Sequence, residues 1–108
     1  MAAKFIALWG KPQDPEGFDE YYRTTHLPMV RRWPHLQSFS VTRVTGSPAG
    51  GEAPYHQVFE ATFATEEDLK RALRSPELAE AARDAMEMVR RFGATLTLLT
   101  GLEEQRGP

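Results

Sequence analysis

The sequence predicts an α+β domain whose elements run β-α-β-β-α-β. Three observations carry this. Apolar residues alternate with period two in four short segments, near residues 4–10, 36–45, 55–64 and 94–100. Two longer segments carry apolar residues at helical spacing, and Asp-Pro-Glu or Ser-Pro-Glu marks a helix start in each. The Gly- and Pro-rich run Gly46–Pro54 separates the second and third strands and reads as a long hairpin loop.

Each element has a local reason. In the first strand Phe5, Ala7 and Trp9 share one face and Ile6 and Leu8 the other. Both faces are apolar, which predicts cover on both sides. Asp14-Pro15-Glu16 then starts a helix: Asp14 accepts a bond from a free backbone N–H and Pro15 suits the first helical position. Phe18, Tyr21, Tyr22, Thr25 and Met29 follow at helical spacing. Pro28 removes a backbone donor inside this pattern and predicts a kink or break near Leu27. The second strand, Leu36–Thr45, sets Phe39, Val41 and Arg43 against Ser38, Ser40 and Thr42. The third sets Gln57, Phe59, Ala61 and Phe63 against His56, Val58, Glu60 and Thr62. Thr65 caps a short helix and Ser75-Pro76-Glu77 opens a longer one. Its stripe is Leu78, Ala81, Ala82, Ala85, Val89 and Phe92, ending at Gly93. Ala94–Thr100 is the last strand, and Glu103–Pro108 reads as a frayed tail.

This order is the ferredoxin-like split βαβ arrangement, a four-stranded antiparallel sheet with two main helices on one face. The other face keeps apolar residues with no element left to cover them. A homodimer packed sheet on sheet is the expected solution.

Length and composition narrow the function. The 108 residues suit one domain spanning 1–108. With 41% hydrophobic and 26% charged residues, the chain reads as globular. A net charge of −2 gives no attraction to nucleic acid. With no cysteine, thiolate catalysis, disulfides and iron–sulfur clusters are excluded. No signal peptide or membrane span is legible, so a cytoplasmic protein without membrane contact is expected.

Three histidines carry the candidate chemistry. His26 stands one helical turn after Tyr22, at the edge of the apolar stripe. It reads either as a core-edge histidine bonded to a carbonyl or as a proton donor and acceptor, with a phenol orienting a substrate oxygen. His56 opens the third strand, as a strand-end residue or as a second polar group in a pocket. His35 reads as an exposed turn residue. Asp84 flanks the long-helix stripe and is either solvated or a histidine's partner. The histidines are spaced by 9 and 21 residues, unlike a helical metal pair. Gly50-Gly51 lacks the Lys-Ser/Thr and helix of a phosphate loop, and no serine lies in a nucleophile elbow. A site without metal or cofactor is expected. Trp9 and Phe59 are among the aromatics that would line a pocket between first helix and sheet, with His26 at its mouth.

The run Phe18-Asp19-Glu20-Tyr21-Tyr22-Arg23-Thr24-Thr25-His26-Leu27-Pro28-Met29 resembles the F-x-x-x-Y-x-x-x-H-x-P-hydrophobic signature of the EthD family, in the dimeric α+β barrel superfamily. Lys4–Pro12, Ala72–Glu77 with Asp84 beyond, and Leu98–Gly101 resemble its other segments. Pro34-His35-Leu36 departs from the family's usual Pro-Gly-Leu. The resemblance implies a homodimer and a cofactor-free pocket. Carried over by position, it points to His26 as acid or base, Tyr22 as its neighbour, and Asp84 as a further candidate. It implies an isomerase, cyclase or dehydratase acting on a small aromatic or polyketide-like metabolite. The alternatives are a non-catalytic ligand-binding or accessory protein of a degradation pathway, and a monooxygenase working through substrate-activated oxygen or a haem.

Overall fold

The computed structural model describes residues 1–108. Its elements are β1 (Ala3–Trp9), α1 (Pro15–Tyr21), a π-helical turn (Tyr22–His26), α2 (Leu27–Val30), β2 (Leu36–Arg43), β3 (Gln57–Phe63), α3 (Glu66–Leu73), α4 (Pro76–Phe92) and β4 (Leu96–Leu102). The sheet order is β2-β3-β1-β4 with every pair antiparallel, as the ferredoxin-like reading requires.

Register fixes the two faces of the sheet. Ala7 pairs with Phe59 on one side and Leu98 on the other, and Trp9 pairs with Gln57 and Leu96. These side chains face the helices, and Trp9, Phe59, Ala61 and Phe63 are buried there. Leu8 pairs with Val58 and Thr97, and Ile6 with Glu60 and Leu99, on the opposite face. No element of the chain covers that face, so the two-sided cover predicted for β1 is absent within one chain.

The helices start where the sequence marks them. Asp14 accepts from the Gly17 N–H, Thr65 from Asp68 and Ser75 from Leu78. Gly93 ends α4 with φ 61°, a left-handed conformation that favours glycine, and the Gln13 side chain packs where a Cβ would go. Some details differ from expectation: β2 ends at Arg43 instead of Thr45, and β3 spans Gln57–Phe63, which leaves His56 just before it. The α4 core stripe runs through Met88, which is fully buried, whereas Val89 is half-buried. The i, i+3, i+4 steps from Leu78 through Ala81 and Ala85 reach Met88 and Phe92. β4 continues to Leu102, because Leu102 still pairs with Ala3 and the Glu103 N–H donates to the Ala2 carbonyl.

The break predicted by Pro28 takes a specific form. The Leu27 N–H reaches the Tyr22 carbonyl, five residues back, and makes one π-helical turn. Thr24 Oγ1 donates to the Glu20 carbonyl beside it. The chain then resumes as α2, with Pro28 in its first turn.

Candidate active site

The first helical segment buries Phe18 and Tyr22 against β1. The Phe18 ring meets Trp9 edge-on at 5.1 Å and lies nearly parallel to Tyr22 at 5.9 Å. This aromatic packing fixes the segment's rotation. Tyr21 then turns toward the end of α4, where its ring lies 5.7 Å from Phe92 and under the Arg91 guanidinium at 5.0 Å.

The π turn adds the decisive step. On a regular α-helix, residues five apart point roughly 140° away from each other. Here Tyr21 and His26 converge on one carboxylate. Tyr21 OH donates to Asp84 Oδ1 at 2.6 Å, and His26 Nδ1 lies 2.8 Å from Asp84 Oδ2. A carboxylate only accepts, so Nδ1 carries the hydrogen and Nε2 keeps its lone pair. The His26 and Asp84 side chains are 7% and 11% exposed, so the pair is largely withdrawn from water. Burial pushes the His26 imidazole below its ordinary value, and Asp84 opposes this in part. The hydrogen bond to Asp84 raises the Tyr21 phenol.

His26 forms part of the wall of a cavity of about 210 Å³ between the sheet and α4. The wall is otherwise apolar. Phe5, Trp9 and Phe59 rise from the sheet, and Ala81, Ala82 and Ala85 of α4 face them. The short alanine side chains leave the space open. Trp33 closes one end, with its ring edge-on to Phe5 at 5.2 Å and its indole N–H buried without a protein acceptor. His26 Nε2 is the ring nitrogen with no protein partner.

The candidate residues therefore fall into three places. His26, Tyr22, Trp9 and Phe59 meet at the cavity. Asp84 stands behind His26 and is not on the wall. His56 is elsewhere: its Nε2 lies 2.7 Å from Asp19 Oδ1, Arg43 pairs with the same carboxylate, and His56 borders a separate polar groove with Lys11 and Glu52. The cavity is walled by α4 as well as by the first helical segment that the sequence points to, which contributes Tyr22, His26 and Val30. Tyr22 packs against the His26 ring at 5.1 Å, and burial pushes its phenol up, offset by Gln57 and Trp9 beside it. Tyr21 is the residue that sequence reasoning missed in this role. Pro28 signals a break near this point, but not that the break brings position 21 round to position 26. No group of three or more His, Asp or Glu side chains is placed to hold a metal.

The sequence profile of the EthD domain matches residues 11–91. The chain belongs to the EthD family. Among solved structures, an EthD family protein from Bacillus halodurans is 38% identical with a TM-score of 0.86, covering 95% of this chain and 99% of its own. SnoaB from Streptomyces nogalater, a cofactor-independent oxygenase, is 16% identical with a TM-score of 0.67, covering 99% of this chain and 97% of its own. A hydroxynitrile lyase from Passiflora edulis is 14% identical with a TM-score of 0.73, covering 99% and 97%. The latter two share the fold, which thus serves more than one reaction. The EthD match spans the His26–Asp84 pair and most of the cavity wall.

Proposed function

We propose that this EthD protein is a cofactor-free acid–base catalyst acting on a small aromatic molecule held in the cavity. One observation carries the reading: His26 is fixed by Asp84 through Nδ1 and brings an unpaired Nε2 to an apolar chamber. Nε2 takes a proton from the bound molecule. Asp84 stabilises the imidazolium that forms, and Tyr21 holds the second carboxylate oxygen in place. The depressed imidazole pKa keeps His26 neutral near pH 7, as a base must be. A base this weak needs a substrate whose anion is delocalised. Returning the proton elsewhere gives an isomerisation. Attack of the anion on a carbonyl of the same molecule, with the new alkoxide taking the proton back from the imidazolium, gives a cyclisation. Departure of a hydroxyl group, protonated by the imidazolium and leaving as water, gives a dehydration.

The nearly uniform apolar wall also suits a binding or accessory protein that holds such a molecule unchanged. An oxygenase reading shares the same first proton removal and adds dioxygen to the anion. We also propose that two chains pair through the bare sheet face around Ile6, Leu8, Val58 and Leu99.

The test is a thermal-shift screen of aromatic, phenolic and lactone compounds, with each hit then incubated in D2O and followed by mass spectrometry and an oxygen electrode. Conversion or deuterium uptake is expected, slowed by about 10²–10⁴ in a folded His26→Ala variant. Hits that stabilise the protein but neither convert nor exchange support the binding reading. Oxygen consumption supports the oxygenase.

A further inference from the structure

The wall of the cavity constrains the charge, size and shape of what it accepts. Resting on the proposed role of His26, we infer that the substrate is a neutral one- or two-ring aromatic with a single weakly acidic group and no ionised group.

Charge is decided by what the wall lacks. Its sixteen residues include no lysine, arginine, aspartate or glutamate, and His26 is the one residue among them that is not hydrophobic. A carboxylate or phosphate placed there loses its water and meets no cation. It also approaches the negative charge of Asp84 behind His26. Nε2 is the unpaired acceptor of the lining and matches one acidic O–H on the ligand, and the unpaired Trp33 indole N–H is the other polar feature there.

Size follows from the volume. A dry cavity of roughly 150 Å³ takes up benzene. About 210 Å³ therefore holds one ring with room for a second fused to it. A third ring would have to leave the chamber past Leu73, Met86 and Leu98, the exposed apolar residues that also line it. Shape follows from the aromatic rings of Phe5, Trp9, Phe59 and Trp33, which offer faces and edges to a flat partner. The alanines opposite set the width. A leucine at position 85 would occupy the space that the ligand needs.

Both tryptophans of the chain line the cavity, so their fluorescence reports occupancy. The test is calorimetric titration of the purified protein at pH 7 with 2-naphthol, 2-naphthoate and 2-anthrol, with tryptophan emission locating the ligand. 2-Naphthol is expected to bind, with 2-naphthoate and 2-anthrol each at least about tenfold weaker. Ala85→Leu is expected to weaken 2-naphthol by a similar factor. The wild-type series stands by itself if that variant does not fold. Binding of 2-naphthoate equal to or tighter than 2-naphthol overturns the inference, as does a preference for the tricycle or no binding by any probe. This failure is separable from that of the catalytic reading. Selective binding of naphthols without exchange or conversion of any ligand overturns catalysis and leaves the ligand class intact. Turnover of a carboxylate or a tricycle does the reverse.

Discussion

Burial works against a charge on His26, and Asp84 works for it. The net result is an imidazole held below its ordinary value of 6.5. This ties the site to stability with a definite sign. The unfolded chain takes up a proton near pH 6.5 and the folded chain only below that. Stability from this group is therefore complete above about pH 6.5 and is lost as pH falls toward the lower folded pKa. In urea unfolding from pH 8 to pH 5, wild type is expected to lose more stability than His26→Gln, so the difference between them changes toward acid. Parallel curves would mean that His26 is not held depressed. His35 illustrates a different cost. It occupies the left-handed region with φ 63°, a conformation that favours glycine. A non-glycine residue there costs roughly 1–2 kcal/mol. Its imidazole lies 3.8 Å from Asp68 at an exposed site, which offsets little of that.

The π turn is the element that makes the site. It exists because Pro28 has no N–H to offer the Thr24 carbonyl, while the Leu27 N–H goes to Tyr22. Pro28→Ala restores the donor and favours α-helical register. Tyr21 and His26 would then diverge, and Tyr21, the less buried of the two, would leave Asp84. The expected outcome is a Tyr21 phenol pKa falling back toward 10, read by NMR of ring-labelled tyrosine in a folded variant. An unchanged Tyr21 titration would show that packing against Phe92 and Arg91 alone holds the turn. Much of this was legible beforehand. Capping residues Asp14, Thr65 and Ser75 and alternating strands mark the elements, because both signals are local. Pro28 marks the break for the same reason. Its consequence was not legible, since the form of the break depends on where Phe18 and Tyr22 pack. The Asp84 partnership bridges 58 residues of sequence, and only the docking of α4 decides it. His56 shows the converse. Its polar character is plain, but Asp19, 37 residues away, draws it from the cavity.

At the scale of the whole molecule, one face of the sheet carries α1–α4 and the other carries nothing. Ile6, Leu8 and Val58 are half-buried and Leu99 is 47% exposed, interleaved with Glu60, Thr62 and Thr97. An uncovered apolar sheet of this kind is a standing cost in water and a ready contact for a second copy. Sedimentation equilibrium at micromolar concentration is expected to give twice the chain mass of 12.2 kDa. Leu8→Asp, which puts a charge at the centre of that face, is expected to return it to one chain mass with the helices intact. A wild-type chain that stays monomeric at tens of micromolar would remove the dimer. The cavity lies on the other side of the sheet, so its lining does not depend on the pairing.

In the proposed site His26 stands at the cavity as a neutral base with Nε2 unprotonated. Long-range ¹H–¹⁵N correlation of the histidine rings, followed from pH 8 to pH 5, reads this directly, with His26→Gln assigning the resonance. The expected result is a neutral ring at pH 7 with hydrogen on Nδ1, an unprotonated Nε2, and a midpoint below 6.5. A ring that carries its hydrogen on Nε2 at pH 7, or that is already an imidazolium there, would contradict it.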